Sequence, residues 1–302
     1  MKAHDIVNLL KEKGPQSGWQ LLENTQMEAL PLWQICRQTP EVHFECVGKR
    51  YVRLDRTVES YARLSPSIRR EFLTYTILGL PEQAGEIESR ARQLRQEICQ
   101  ISQAKRDVAK YAMADTVQSL PDWKSISKHV CFIIAGDIVY EMAHAVPRPE
   151  ISTGKMVQGS DLDIIVVAED CVSEESVRAL DEAILRRKYL LLVQPNYQEE
   201  IDYLVKNIAK VRMQLAFDSF QHMIASKIIH EGEFLYGSYP VFEQIKSLVA
   251  ESGVPGKLAE LERHAIEFRK QAEESLLWSD PSQADGVFLN LFYTHEEGDE
   301  IY

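Results

Sequence analysis

The stretch Gly159-Ser160-Asp161-Leu162-Asp163-Ile164-Ile165-Val166-Val167 decides how this chain folds. Ile164 to Val167 is entirely β-branched, the composition of a strand buried on both faces. Asp161 and Asp163 open that strand with one residue between them. Alternate strand residues point the same way, roughly 6 to 7 Å apart, so both carboxylates face one side and can reach one divalent cation or a close pair. Ionised carboxylates beside a buried strand are costly unless they are paired or bound to metal. The plainer alternative is a turn at Gly159-Ser160-Asp161 with Asp163 at a wet strand edge. An EF-hand loop is excluded, because ligand alternation stops at Asp163 and no distal glutamate follows at the required spacing.

Around this strand the pattern is α/β. Val130 to Ala135 predicts a short strand, Gly136-Asp137 a turn, Ile138 to Ala145 a helix, and Pro147 to Gln158 a loop of 12 residues. Downstream the sequence predicts a helix over Glu174 to Arg187, strands at Tyr189 to Val193 and Glu200 to Val205, and helices beyond. Residues 1–56 read as a winged helix-turn-helix unit. Its first helix stops at Gly14-Pro15, its second has Ser17 as N-cap, and its third has Pro31 in the first turn. Val42 to Val47 and Arg50 to Leu54, joined by Gly48-Lys49, form the expected wing hairpin. Residues 57–120 read as a helical linker, 121–240 as the domain around the two aspartates, and 241–302 as an acidic helical tail. Within the linker, Ile87, Ala91, Leu94, Ile98, Ile101, Lys105, Val108 and Ala112 alternate steps of four and three. That is the seam of a homodimer, of a partner-protein contact through residues 87–112, or of a long helix packed on its own body.

Of the 302 residues 45% are hydrophobic, enough for at least one full core, and no apolar run approaches a membrane span. Five scattered cysteines without a Cys-x-x-Cys pair indicate neither a disulfide framework nor a zinc knuckle, so a reduced, cytoplasmic setting is expected. The net charge is -12, and residues 216–302 hold 6 Lys+Arg against 16 Asp+Glu. Long nucleic acid would be repelled by that tail. DNA contact is therefore confined to residues 31–54, through the third helix and Lys49, Arg50 and Arg53, with a protein-docking role as the alternative.

A strand, then a glycine opening a helix, then a GSDLD strand, then a third carboxylate on a later strand resembles the DNA polymerase β-like nucleotidyltransferase superfamily. Glu231 to Ser238, EGEFLYGS, also resembles the segment that small members carry after the third carboxylate. The resemblance spans residues 125–240 and implies an α+β fold, a mixed sheet flanked by helices. It implies Mg²⁺, or Mn²⁺, held by Asp161, Asp163 and Asp202, with Glu200 as the rival third ligand. An NTP, ATP first, would be bound by Gly136, Asp137, Gly159, Ser160, Lys155 and Lys227, and its NMP passed to a hydroxyl acceptor of unspecified kind with release of pyrophosphate. The family usually has Ser or Gly where Asp137 stands. As N-cap of the next helix Asp137 would turn its charge away; otherwise the phosphates fall to Ser160, Arg148, Ser152, Thr153 or Lys155. A toxin-antitoxin or phage-defence setting suits such an enzyme. The alternative is a winged-helix DNA-binding regulator that senses nucleotide without turnover.

Overall fold

The computed structural model describes residues 2–58, 61–280 and 286–294 and divides the chain into two compact units. One comprises Met1–Ile98 with Leu261–Glu300, the other Cys99–Glu260. Neither boundary coincides with those expected at residues 56, 120 and 240. The protein is α+β with mixed sheets.

The first unit begins with α1 (Ala3–Lys13), β1 (Gln16–Ser17), α2 (Gly18–Thr25) and α3 (Ala29–Gln38). Ser17 caps α2 as expected: its hydroxyl accepts from Gln20 N at 3.2 Å and its own N–H donates to Gln20 Oε1 at 2.9 Å, a reciprocal capping box. The expected wing does not form. The strands β2 (His43–Cys46), β3 (Tyr51–Leu54), β4 (Ala62–Ser65) and β5 (Thr76–Gly79) pair as β2 with β5 and β3 with β4, so Phe44 faces Leu78 and Val52 faces Leu64. Gly48-Lys49 has turn chemistry, but β4 and β5 are buried at every residue and recruit the two strands separately. With α4 (Ile68–Thr74) between them, they also replace the first part of the expected helical linker.

The long helix α5 (Ala84–Gln118) supplies the rest of that linker, and its residues divide between the units. In the second unit its Ala109, Ala112, Met113 and Val117 join the core, with Ile101 and Val108 packed against it. The heptad seam is thus filled from within the chain here. Lys105, the polar interruption of the seam, is buried and donates to Gln158 O and Glu199 Oε2, each at 2.6 Å.

After α5 come α6 (Trp123–His129), β6 (Val130–Ile134), β7 (Pro147–Pro149), β8 (Met156–Gln158), β9 (Leu162–Ala168), α7 (Glu174–Val193), β10 (Ile201–Asn207), α8 (Ile208–Gln214), α9 (Phe220–Glu231), β11 (Glu233–Gly237), α10 (Tyr239–Glu251), α11 (Val254–Trp278) and α12 (Gly286–Phe292). Four strands form a sheet in the order β10-β9-β6-β11, with β9 and β10 parallel and the other pairs antiparallel. Leu162, Ile164 and Val166 pack on α5 and α7, whereas Ile165 and Val167 are buried on the opposite face, which explains the unbroken apolar run of β9.

Three expectations fail here. Tyr189 to Val193 is the last turn of α7, not a strand: nothing breaks the helix before Gln194-Pro195, and Leu191 and Leu192 are buried on its inner side. Ile138 to Ala145 is not a helix, only a 3₁₀ turn at Gly136–Ile138 and irregular chain. The expected loop Pro147 to Gln158 is a β7–β8 hairpin. The described part of the acidic C-terminal segment is helical, as expected. Ala272 and Leu276 of α11 and Leu291 and Phe292 of α12 enter the first unit's core, where Trp33 meets Phe292 edge-on at 5.8 Å.

The hairpin tip is knotted by Glu150. Burial disfavours its charge, but both its oxygens accept from Ser152 and Thr153, two backbone N–H groups and two hydroxyls at 2.6 to 3.0 Å, and these bonds hold its pKa down at about 2. A depressed carboxyl contributes stability that is full above the ordinary value near 4.5 and lost as pH falls toward 2. Urea unfolding of Glu150→Gln at pH 6 should therefore show a deficit of about 2 kcal/mol against wild type that shrinks steadily below pH 4.

Candidate active site

The parallel register of β9 and β10 places Asp163 directly beside Asp202. Register partners in adjacent strands share a face at a spacing of about 4.8 Å, so these two carboxylates project together into one cleft. Asp202, rather than Glu200, is thus the register partner of Asp163. Two positions earlier the same side is reached again: Leu162 N donates to Glu200 O at 2.8 Å, which leaves Asp161 and Glu200 as the outer pair. A single cation already joins them. Arg148 of β7 pairs through Nη2 with Asp161 and, at 2.9 Å, with Glu200, while its Nε donates to Gly159 O at 3.2 Å.

The turn after β6 closes on the inner pair. Ala135 N donates to Asp163 O at 3.0 Å, and Gly136 follows with φ +69°. A Cβ at Gly136 would lie 2.0 Å from Asp163 Oδ2, so only glycine lets the chain pass this carboxylate. Gly159 has the same function one layer out: at φ +67° its Cβ would fall 1.8 Å from His144 O. Both glycines expected at the site hold backbone against backbone or carboxylate, and neither position tolerates a side chain.

Asp137 is not a helix N-cap, since no helix of length follows it. Its Oδ2 accepts from Ser160 Oγ at 2.8 Å, and Ser160 Oγ accepts from His144 N at 3.2 Å. This buried chain ties the turn to the start of β9 and turns the Asp137 charge sideways into protein, at the cost of the Ser160 hydroxyl. Ser152 and Thr153 are likewise committed to Glu150, and Lys155 lies exposed at the hairpin tip. Lys227 is buried on α9 and pairs with Glu231, whose carboxylate also accepts from Tyr140 Oη at 2.6 Å and, at 3.5 Å, from Gly136 N. The lysine therefore reaches the Gly136 turn through Glu231, a residue that sequence spacing did not single out. The cue was present: Lys227 and Glu231 are four apart on one helix face.

Beyond the two aspartates, a cavity of about 360 Å³ runs between β10 and the helices α8 and α9, lined by Asp163, Asp202, Lys206, Gln214, Gln221 and Ile228 among others. At the far end of β9, His129, Glu169 and Cys171 bring one donor atom each within 4.8 Å of one another, with His129 Nδ1 and Glu169 Oε2 hydrogen-bonded at 2.6 Å. In the first unit, groups expected to contact DNA are engaged internally. Gln34 donates to Leu276 O and Ser279 O, Arg50 pairs with Glu71 and Glu273, and Arg37 stacks on Phe44 at 4.2 Å.

The donor set suits a hard divalent cation. It offers only carboxylate oxygens, on one face, next to a backbone that approaches closely. The obstacle is Arg148, which competes for Asp161. Arg148→Met should leave Asp161 and Glu200 repelling each other, lowering metal-free stability by about 1 to 3 kcal/mol, and should enlarge the gain in melting temperature that Mn²⁺ produces. Gly136→Ala should abolish any such gain by displacing the Asp163 carboxylate, and should also lower metal-free stability by about 1 to 3 kcal/mol, because an L side chain at φ +69° is strained. No family model, curated protein or solved structure matches this chain.

Proposed function

We propose that the cleft binds a nucleoside triphosphate with Mg²⁺ or Mn²⁺ and transfers its nucleoside monophosphate to a hydroxyl acceptor, releasing pyrophosphate, on a polymerase β-like nucleotidyltransferase fold. The observation that carries this is the registered pair Asp163/Asp202, pressed against a left-handed glycine at the opening of a short helical turn and backed by Asp161. Asp161, Asp163 and Asp202 are the residues to hold divalent cation, which when bound supplies charge neutralisation and orientation of the phosphates. Gly136 exposes backbone where the triphosphate would lie. Lys227, fixed by Glu231, adds positive charge behind that turn.

The chemistry asked of the chain's own groups is modest. The acceptor oxygen attacks the α-phosphorus as the bond to the bridging oxygen breaks, the electron pair leaves with pyrophosphate, and the hydroxyl proton passes to Asp202, the most exposed of the three carboxylates. Asp161 reaches this arrangement only when Arg148 releases it. Release would follow from phosphate oxygens drawing the guanidinium away, since Arg pairs with phosphate as readily as with carboxylate.

That clamp also favours a second reading: a regulator in which nucleotide binding is sensed without turnover. One experiment separates the two. The protein is incubated with Mg²⁺ or Mn²⁺ and each α-labelled NTP, and pyrophosphate release and label transfer are followed. Turnover, lost at least a hundredfold in Asp163→Ala and Asp202→Asn, supports transfer. Saturable NTP binding without pyrophosphate supports the sensor, and no NTP binding at all removes both. Divalent cation should also raise the melting temperature of wild type but not of Asp163→Ala, whose metal-free fold is unimpaired because a like-charge neighbour has been removed.

A further inference from the structure

Lys206 is the anomaly of the cleft. It is on the same face of β10 as Asp202 and Leu204, is only 7% exposed, and lines the cavity that begins at Asp163 and Asp202. A buried ammonium normally has a carboxylate partner; every other buried lysine here has one, Lys105 in Glu199 and Lys227 in Glu231. Among the described residues Lys206 has none within ion-pairing distance. Its one hydrogen bond goes from Nζ to Gln214 Oε1 at 2.9 Å. An ammonium has three donors, so two remain. Burial, reinforced by the nearby Lys210, pulls its pKa down to about 8, which is the mark of an uncompensated cation.

Gln214 is also polarised by this bond. Its carbonyl oxygen is taken by Lys206, so its amide nitrogen is what it can offer the cavity, and this group too is a donor. Lys206 and Gln214 thus both turn donors to this end of the pocket. Its walls are Ile224, Ala225 and Ile228 on the α9 side and Leu204 on the strand, all apolar. Four residue steps lead from Asp202 to Lys206, about 13 Å along β10. That span matches a nucleotide laid with its phosphates at the aspartates and the far edge of its base at the lysine.

We infer that Lys206 and Gln214 select the base of the nucleotide, favouring a carbonyl at the edge remote from the ribose, as in guanine and uracil, over the amino group that adenine and cytosine show there. The selection rests on the nucleotide reading of the cleft. A carbonyl accepts from the ammonium and compensates a buried charge; an exocyclic amine points donor against donor and leaves that charge unpaired. Sites built to hydrogen-bond one group reject its mismatch because the buried partner is left unsatisfied.

The test is calorimetric titration of the full chain, in Mn²⁺, with the α,β-methylene analogues of ATP, CTP, GTP and UTP. GTP and UTP analogues are expected to bind at least tenfold tighter than those of ATP and CTP. In Lys206→Met the two classes should fall within threefold of each other, while the Mn²⁺-dependent rise in melting temperature persists. Methionine removes a buried charge and keeps the stem, so the variant folds, and the wild-type ranking is informative without it. Equal or tighter binding of ATP or CTP analogues by wild type, or an undiminished preference in Lys206→Met, overturns the assignment while leaving the nucleotide site standing. Failure of every analogue to bind at millimolar concentration overturns the nucleotide reading, and base selection with it.

Discussion

Register between two parallel strands is the constraint on which the rest depends. A slip of one residue between β9 and β10 would send Asp202 to the face packed on α7 and bring Ile201 or Tyr203 beside Asp163. What prevents the slip is the alternation along β10, where Ile201, Tyr203 and Val205 turn to the core while Asp202, Leu204 and Lys206 take the other face. The carboxylates are consequently placed by apolar packing remote from them. Gly136 adds the second restraint, for it narrows the space around Asp163 to what a backbone without a side chain can share.

Among the described residues of the second unit, the buried carboxylates Asp137 and Glu150 are held by hydrogen bonds, whereas the buried ammonium groups meet carboxylates, with one departure. Lys105 meets Glu199, and Lys227 meets Glu231. For the first of these pairs desolvation works against both partners, raising the Glu199 pKa and lowering that of Lys105, so the pair specifies where the β10 approach docks on α5 more than it stabilises. Arg148 neutralises the outer carboxylates. Lys206 is the departure, and it lies in the cavity that adjoins the inner pair.

Much of this was legible in the residues. A β-branched run preceded by alternating aspartates specified β9 and its face, Ser17 specified the start of α2, and the apolar steps along α5 marked the side that is covered. What could not be read locally was set by partners distant in sequence. Tyr189 to Val193 is equally apolar as helix or strand, and only the absence of a breaker before Pro195 decides it. The Val42 to Leu54 hairpin had the right turn but lost its strands to β4 and β5, whose burial no window of that length includes. Asp137 reads as a cap in sequence because the residues after it suit a helix; a partner that holds it, Ser160, lies 23 residues on. Glu231 and Lys206 carry no local signal, because charge on an amphipathic element reads as solvated until the covering helices are known.

The knot at Glu150 bears on how easily Arg148 can change partners. The β7–β8 hairpin is ordered by its own tip, where Ser152 and Thr153 close on one carboxylate, independently of anything Arg148 touches. Surrendering Asp161 and Glu200 therefore need not melt the arm that carries the guanidinium. Under the proposed function, exchange of Arg148 for a divalent cation would be a side-chain substitution on an ordered arm, its free energy governed by charge and solvation with little backbone entropy in the balance.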